Sequence, residues 1–408
     1  MRFVARKANP CLRIIKRARF SNFERAHIID AARNPIDLDE RQIHAVSARI
    51  ELDLRVGSAF TRMQTMQLKP LLEHLQTESD SKIISYGSCQ FPTLGFIVDR
   101  YFRVQNFVPE PFWKISVIYE KDGAKVTFNW KRVHLFDRLA VTILFERCLA
   151  ARTARVTKMD KKATRKWKPL PLATVELQKC GSRFLRMDSQ RVMKVAEDLY
   201  TKGWISYPRT ETDQFDRGAS SRSRRRIAAG GRNNDKAHPP IHPVNYVAST
   251  SLSDEERRVY EFVVRRFLAC CAEDALGEQT TISILYGPET FTANGLIVIQ
   301  RNYLDVYPYD KWESSQQLPA FAMGETFVPT EARIGEGKTS APGYLTEAEL
   351  IALMDANGIG TDATMAEHIG KIKERRYVMT RTRGLGCCGG GGGDGRWEWR
   401  GGGGGGCA

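Results

Sequence analysis

The sequence contains no unbroken apolar run long enough to cross a bilayer. It also lacks a G-x-x-x-x-G-K-S/T motif, the glycine-rich loop that holds nucleotide phosphates. Its nine cysteines include no C-x-x-C pair, and none has a histidine at the spacing of a zinc site. These absences argue against a helical membrane protein, a P-loop nucleotidase and a zinc-finger protein. An odd number of cysteines without a secretory signal also predicts free thiols in a reducing compartment.

What the sequence has in excess is positive charge. Its 62 Lys and Arg residues against 47 Asp and Glu residues give a net charge of +15. The length of 408 residues and a hydrophobic content of 42% allow two or three domains with a substantial core. A cationic excess without a basic amphipathic anchor favours nucleic acid over a membrane surface as the partner.

A helix followed by an extended segment is predicted around residues 188–212. Asp188 or Ser189 can cap the helix, and Gly203 should end it. Its apolar residues recur at three- and four-residue steps, at Val192, Val195, Ala196 and Leu199.

Tyr207 and Arg209 lie on either side of Pro208, which favours an extended conformation at Tyr207. Side chains two residues apart in an extended segment share a face, so Tyr207 and Arg209 should point the same way. A phenol beside a guanidinium suits attack on a phosphodiester, because tyrosine forms covalent intermediates and arginine binds phosphate oxygens. The alternative is a buried tyrosine at a helix-to-strand corner with a surface arginine.

Three further segments carry candidate binding residues. YGSCQFPTLG at residues 86–95 predicts a loop that leads into an apolar helix over 96–102, and a helix start can bind phosphate. Residues 152–168 contain eight Lys and Arg and one Trp, which is typical of a groove for single strands; a solvated strand edge is the alternative. AHPPIHP at residues 237–243 is held extended by its prolines. It could present His238 to a phosphate or a proton, or it could be a structural proline turn.

Three other segments carry structural signals only. Asp122 and Gly123 lie between two alternating stretches and predict a β-hairpin. Residues 217–234, rich in Arg, Ser and Gly, predict a mobile basic loop. Residues 384–408 hold 14 of the 33 glycines and predict a disordered tail, or the mistranslated end of a gene model.

Six motifs follow one another along the chain: ELDLRVGSAFTR at 51–62, YGSCQFPTLG at 86–95, GWISYPRTET at 203–212, AHPPIHP at 237–243, NYLDVYPYD at 302–310 and GIGTDAT at 358–364. Together, over about residues 11–378, they resemble the type IA DNA topoisomerases, in particular the eukaryotic topoisomerase III alpha branch. This resemblance favours the catalytic interpretation of Tyr207, Arg209 and His238 over the structural one.

The resemblance implies that Tyr207 is the nucleophile. It would attack a phosphodiester of single-stranded DNA, stay linked to the 5′ phosphate and release a 3′ hydroxyl, without ATP. Arg209 would balance charge on the phosphate, and His238 would lie near it. The predicted DNA-binding residues are Gln90, Ser88, Arg62, Lys236, Lys166 and Trp167. Many bacterial relatives have an arginine where this chain has Ser88, which weakens a contact there.

The chain departs from the family at its start. In the family, the general acid and the Mg²⁺-binding carboxylates lie in an N-terminal Toprim domain, and residues 4–10 resemble the segment just after them. No D-x-D-x-E run precedes these residues. We therefore expect Mg²⁺ for the family but no metal ligands in this chain, and a domain interior rather than a mitochondrial transit peptide. General acid catalysis is typically worth about 10²–10⁴-fold, so this chain would be crippled while keeping the nucleophile.

The predicted fold is an α/β multidomain toroid with a β-rich arch and winged-helix-like helical domains, and with most of the Toprim domain missing. The predicted parts are 1–20 (Toprim remnant), 21–75 and 345–383 (helical wall), 76–165 and 251–344 (arch), 166–250 (winged-helix-like domain with Tyr207) and 384–408 (disordered tail).

The predicted function is a topoisomerase that cuts and reseals single-stranded DNA through a 5′-phosphotyrosine intermediate, in recombination and repair. By the resemblance, its partners are single-stranded DNA, a RecQ-family helicase and an OB-fold protein in the nucleus, with no membrane. The alternative is a catalytically inactive single-stranded-DNA-binding remnant, or a truncated gene model.

Overall fold

The computed structural model describes residues 15–20, 25–72, 83–215, 231–381 and 396–399. Most of the predicted Toprim remnant, of the basic loop at 217–234 and of the glycine-rich tail lies outside these residues. Within the described ranges, no helix combines the length and the apolar character needed to span a membrane.

The N-terminal part of the described chain is mainly helical. Strand β1 (Lys16–Arg17) pairs antiparallel with β2 (Ile36–Asp37), and helix α1 (Arg25–Arg33) lies between them in the chain. Helix α2 (Glu40–Leu72) and helix α3 (Gln90–Gln105) follow. Helix α3 begins at Gln90, earlier than the predicted 96, because Pro92 falls in its first turn, where a missing N–H costs no helical hydrogen bond.

A seven-stranded antiparallel sheet draws on two separate stretches of the chain. The first stretch supplies β3 (Pro111–Lys121), β4 (Ala124–Trp130) and, after helix α4 (Arg138–Ala151), β5 (Ala154–Lys166). The second supplies β6 (Ala275–Tyr286), β7 (Glu289–Gln300), β8 (Thr326–Phe327) and β9 (Glu331–Lys338). The strand order is β8-β5-β6-β7-β4-β3-β9, so β3 pairs with β9 although the other five strands lie between them in the chain.

The predicted hairpin at Asp122 and Gly123 is confirmed. Lys121 pairs with Ala124, and the two turn residues have positive φ angles of 52° and 74°. Such a two-residue turn matches the right-handed twist of the strands it joins. The sheet core is apolar and includes Val117, Phe128, Val141, Ile284 and Phe291.

A second core surrounds the tyrosine segment. Helix α5 (Thr174–Cys180) continues into a π-helical turn (Gly181–Leu185), which is followed by helix α6 (Ser189–Thr201) and later by helix α7 (Asp254–Cys271). Gly181 allows close packing here, since a Cβ would lie 2.4 Å from the Val192 side chain. The predicted domain boundary at residue 250 assigns helix α7 to the arch. In the structure, the apolar residues Val259, Phe262 and Val263 of α7 instead pack into the core formed with α5 and α6.

A third core joins α3 to the C-terminal helices α8 (Glu347–Ala356) and α9 (Met365–Glu374). Strand β10 (Val378–Arg381) then pairs antiparallel with β11 (Arg396–Trp399). Strand β11 lies within residues 384–408, where the sequence predicts a disordered tail, so the structure differs from the prediction there. Its sequence RWEW alternates tryptophan with charged residues, which is a strand-forming pattern that the surrounding glycines obscure.

Candidate active site

The tyrosine segment leaves helix α6 through a glycine turn. Asp188 caps the helix by accepting a hydrogen bond from Arg191 N at 2.9 Å. Gly203 has a φ of 80°, a conformation that favours glycine, and it follows the last turn of α6. The predicted cap and the predicted stop are therefore both confirmed.

The proline-rich segment runs antiparallel to the tyrosine segment. Ser206 N donates to the His242 carbonyl at 2.9 Å. The buried Ser206 hydroxyl donates to the Pro240 carbonyl at 3.2 Å and accepts from His242 N at 3.0 Å. Ser206 directly precedes Tyr207, so these bonds fix the position of Tyr207 against the segment that carries His238.

The half-buried ring of Tyr207 lies between two other rings. The Tyr200 ring meets it edge-on with centroids 5.2 Å apart. The His238 ring is tilted by 44° to it, with centroids 4.5 Å apart. Both arrangements fall in the range of favourable aromatic contacts. The structure thus brings together two residues that are 31 positions apart in the sequence.

The environment of His238 favours its neutral form. Burial lowers the pKa of His238, and the cations of Arg19 and Arg17 lower it further, against the opposing effect of Asp235 and Asp362. Its Nδ1 is buried and has no hydrogen-bond partner within the described part of the chain. A neutral imidazole can accept a proton or a hydrogen bond.

Asp235 orders the backbone that leads to His238. Its Oδ1 accepts from Ala237 N at 2.8 Å and from His238 N at 2.9 Å, and its Oδ2 accepts from the Thr210 hydroxyl at 3.1 Å. Burial raises the pKa of this carboxyl, but the hydrogen bonds outweigh burial and hold the pKa below its ordinary value. An Asp that caps amides two and three residues later is a local pattern, so the sequence carried a signal for this role.

Arg209 is bound by Glu197 and by a backbone carbonyl. Its Nε and Nη2 both lie 2.7 Å from Glu197 Oε1, and its Nη1 donates to the Ala363 carbonyl. Glu197 and Tyr200 are three residues apart on α6 and therefore share a face. Because Tyr200 contacts Tyr207, the side chains of Tyr207 and Arg209 reach the same face of α6.

Thr174 holds the backbone on either side of Arg209. This fully buried hydroxyl lies 2.8 Å from the Pro208 carbonyl and 3.0 Å from the Thr210 carbonyl, and it accepts from Thr210 N at 2.7 Å. The Thr174 amide also donates to the Thr210 carbonyl at 3.0 Å. No local sequence pattern points to Thr174, because its partners lie on a different segment.

Three of the predicted DNA-binding residues lie on helix α2 or on the segment that leads from Tyr86 into helix α3. An open groove of about 570 Å³ runs along α2, and Arg62 and Tyr86 line it. The Tyr86 ring stacks on Phe60 with centroids 4.8 Å apart. Just beyond Tyr86 in the chain, Ser88 is exposed, and Gln90 begins helix α3.

The remaining predicted DNA-binding residues lie at two other places. Lys236 is exposed in the loop before His238, so it belongs to the surroundings of Tyr207. Trp167 is 72% exposed at the end of β5, and Lys166 Nζ donates to the Lys311 carbonyl at 2.7 Å. Lys166 thus contacts the loop after β7, where it also lies 4.0 Å from Asp310 Oδ1, and within the described residues it forms no hydrogen bond or ion pair with the tyrosine segment itself.

The basic stretch at 152–168 is partly neutralised. Lys158 pairs with Asp160, and Lys161 lies 3.7 Å from Glu278. Arg155 and Arg165 on the same strand are exposed. Strand β5 therefore presents cations to solvent, with fewer free charges than its composition indicates.

The resemblance to a Mg²⁺-dependent family calls for carboxylate oxygens, which this cation prefers. Among the described residues, no three His, Cys, Asp or Glu side chains form a group that could hold a metal ion. The described side chains therefore do not fit this Mg²⁺, and no catalytic step is assigned to a metal.

The family follows from comparison with known proteins. Residues 37–386 match the family described as DNA topoisomerase, so the chain belongs to the type IA DNA topoisomerases. The solved full-length topoisomerase I of Thermotoga maritima covers 94% of this chain, and this chain covers 65% of it, with a TM-score of 0.74 and 24% identity. That likeness confirms the predicted toroidal α/β fold.

The chain is also similar to curated proteins named DNA topoisomerase 3. The DNA topoisomerase 3 of Schizosaccharomyces pombe is 48% identical over 402 residues, which cover 93% of this chain and 64% of the relative. The human DNA topoisomerase 3-alpha is 45% identical over 396 residues, which cover 92% of this chain and 39% of the relative. The predicted resemblance to topoisomerase III is confirmed, and the chain spans less than two thirds of the length of either relative.

Proposed function

We propose that Tyr207 is the nucleophile of a topoisomerase reaction on single-stranded DNA, and that Arg209 and His238 act on the same phosphate. One observation carries this proposal. The Tyr207 ring contacts His238 while Arg209 is bound on the same face of α6. Family membership supports phosphodiester exchange at this site over an ordinary aromatic cluster.

The bond changes balance without an external energy source. Tyr207 Oη forms a bond to phosphorus, and the bond between phosphorus and O3′ breaks. O3′ leaves with the bonding electron pair and takes up a proton, which gives a 3′ hydroxyl and a 5′-phosphotyrosine. Resealing is the reverse of this step. One phosphoester is exchanged for another, so ATP is not required.

The neighbouring side chains supply charge and proton handling. The Arg209 guanidinium can bind the phosphate oxygens and stabilise the charge that develops during the exchange. Neutral His238 can hydrogen-bond to a phosphate oxygen or take the proton that leaves the Tyr207 hydroxyl.

The proposed substrate is single-stranded DNA, with contacts to Gln90, Ser88, Arg62, Lys236, Lys166 and Trp167. The net charge of +15, the groove beside α2 and the exposed Trp167 support this substrate. Phosphate contacts release counterions, so affinity should fall steeply as salt rises. A flat salt response would contradict phosphate contacts by the cations of β5.

Cofactor, partners and location are proposed from the resemblance to topoisomerase III. We propose Mg²⁺ as cofactor, with carboxylate ligands outside the described residues. We further propose a RecQ-family helicase and an OB-fold protein as partners, in nuclear recombination and repair. Imaging of a tagged chain tests the location, and a cytoplasmic signal with an empty nucleus would contradict it.

Covalent trapping tests the nucleophile. The chain is incubated with a 5′-labelled and a 3′-labelled single-stranded oligonucleotide and Mg²⁺, then denatured. An adduct that keeps the 3′ label is expected, and Tyr207→Phe should abolish it. Tyr200→Phe is the matched control, since it removes a hydroxyl from the ring in contact with Tyr207 and should leave the adduct in place.

The product of this reaction distinguishes a catalytic Tyr207 from a non-catalytic DNA-binding protein. Mass spectrometry of the nuclease-digested adduct should find the nucleotide on Tyr207, and a nucleotide on any other side chain overturns the assignment. Salt-sensitive binding of the oligonucleotide without any adduct would favour a non-catalytic DNA-binding protein.

A further inference from the structure

Arg209 is bound from two sides by groups of the protein itself. Its Nε donates to Glu197 Oε1 at 2.7 Å and its Nη1 donates to the Ala363 carbonyl, while its Nη2 forms an ion-pair contact with the same Glu197 oxygen at 2.7 Å. A guanidinium has five N–H donors in one plane, and these hydrogen bonds occupy two of them. Hydrogens on both terminal nitrogens are therefore left without a hydrogen-bond partner in the described part of the chain.

The two groups that bind Arg209 belong to different parts of the fold. Glu197 lies on α6, on the same face as Tyr200, whose ring contacts Tyr207. Ala363 lies in the loop that precedes α9. Helix α6 therefore sets the spacing between the Tyr207 ring and the guanidinium, while the carbonyl of Ala363 fixes the end of the side chain.

We propose that Glu197 is a positioning residue for Arg209. It binds the side edge of the guanidinium and so directs the remaining N–H bonds to a phosphate held at Tyr207. This inference rests on the proposed function, because it takes Arg209 as a group that contacts the phosphate. Glu197 itself does not touch the substrate, since its carboxylate would repel a phosphate.

Glu197 has a second effect, through its charge. Its side chain is 42% exposed and that of Arg209 is 25% exposed, so solvent weakens their attraction but does not remove it. The carboxylate offsets part of the positive potential that a phosphate meets at Arg209. Glu197 therefore lowers the affinity for DNA while it improves the orientation of the arginine.

Three variants separate orientation from charge. Glu197→Gln keeps an oxygen that can accept N–H bonds but removes the negative charge. Glu197→Asp keeps the charge but shortens the side chain. Glu261→Gln is the matched control, because Glu261 accepts from Arg265 Nε at 2.7 Å on α7 and is 51% exposed.

The first measurement does not depend on catalysis. Phenylglyoxal modifies accessible arginines, and peptide mass spectrometry gives the rate at Arg209 in the full chain. The rate should rise several-fold in Glu197→Gln and Glu197→Asp and stay unchanged in Glu261→Gln. A single-stranded oligonucleotide should slow the modification of Arg209 in the wild type.

The second measurement compares binding with covalent adduct formation. Glu197→Gln should bind the oligonucleotide about 2- to 5-fold more tightly, because one nearby negative charge is gone. It should form the adduct roughly tenfold or more slowly, because the guanidinium is less well oriented. Glu197→Asp should bind as the wild type does and also form the adduct more slowly. A residue that only stabilises the fold would not raise affinity and lower adduct formation together.

The outcomes distinguish this proposal from the proposed function. Equal modification rates at Arg209 in the wild type and Glu197→Gln would overturn it, as would a failure of the oligonucleotide to protect Arg209. Faster modification with tighter binding supports it even where no variant forms an adduct. That result would count against the covalent reaction at Tyr207 and not against the role of Glu197.

Discussion

Replacing Thr174 with valine removes a buried hydroxyl from the base of the tyrosine segment and leaves the shape of the side chain almost unchanged. The hydroxyl accepts from Thr210 N at 2.7 Å and lies 2.8 Å from the Pro208 carbonyl. The Thr210 carbonyl keeps its bond from Thr174 N at 3.0 Å. Valine therefore leaves one amide and one carbonyl without a partner.

The expected cost follows from these two groups. Each buried polar group left unsatisfied costs about 1–3 kcal/mol, so losing the partner of two such groups in Thr174→Val should lower the free energy of unfolding of this region by about 2–6 kcal/mol. Thr174→Ser keeps the hydroxyl and removes one methyl, which costs about 1 kcal/mol. The order of stability should therefore be wild type, then serine, then valine.

Hydrogen exchange measures the effect where it arises. The chain has several cores, so amide exchange reports this local contact more directly than one global unfolding midpoint does. Amide exchange in peptides that cover residues 203–212 should be at least about fivefold faster in Thr174→Val than in Thr174→Ser. Equal protection in the two variants would refute the role of the hydroxyl in holding this segment.

Further predictions concern a titration, a glycine and a buried cation. Burial lowers the pKa of His238, so its NMR titration midpoint should fall below the ordinary 6.5, and a midpoint above 6.5 would contradict this. The stabilising contribution of His238 is then complete above about pH 6.5 and is lost as the pH falls through the folded-state pKa; comparison of melting curves with His238→Gln checks this sign. Gly203→Ala should cost about 1 kcal/mol because its φ is 80°, whereas Gly95→Ala, inside α3 with open space around it, should gain about 0.5–1 kcal/mol; urea midpoints that shift in the same direction would refute this. Arg266→Leu should cost about 2–4 kcal/mol in thermal melts, because it removes a buried guanidinium bonded to a carbonyl and a phenol. The more exposed Arg265→Leu should cost less than about 1 kcal/mol, and equal losses would be inconsistent with this account.

Local features could be read from the sequence because their causes lie within a few residues. Asp188 caps the helix it precedes, Gly203 ends that helix with a positive φ, and Asp122 with Gly123 forms a tight turn. Each depends on backbone geometry that neighbouring residues determine. Two local predictions differ from the structure. Helix α3 begins at Gln90 and not at residue 96, because Pro92 is tolerated in its first turn. Strand β11 forms where the flanking glycines predict disorder.

The surroundings of Tyr207 depend on residues far apart in the chain. Thr174 contacts Thr210 across 36 positions, and Arg209 reaches Ala363 across 154 positions. The roles of Ser206, Thr174 and Glu197 have no local signature, because a hydroxyl or carboxylate in a sequence does not show which distant backbone will come within hydrogen-bond distance of it.

The sequence by itself determined the family, the positions of Tyr207, Arg209 and His238, and the local elements that carry them. Only the tertiary structure decided that Glu197 binds the guanidinium of Arg209 and that the rings of Tyr200 and His238 contact Tyr207. The physical reason is that helix caps and turns are short-range interactions, whereas the site is assembled around a core that packs segments from Leu172 to Ala366.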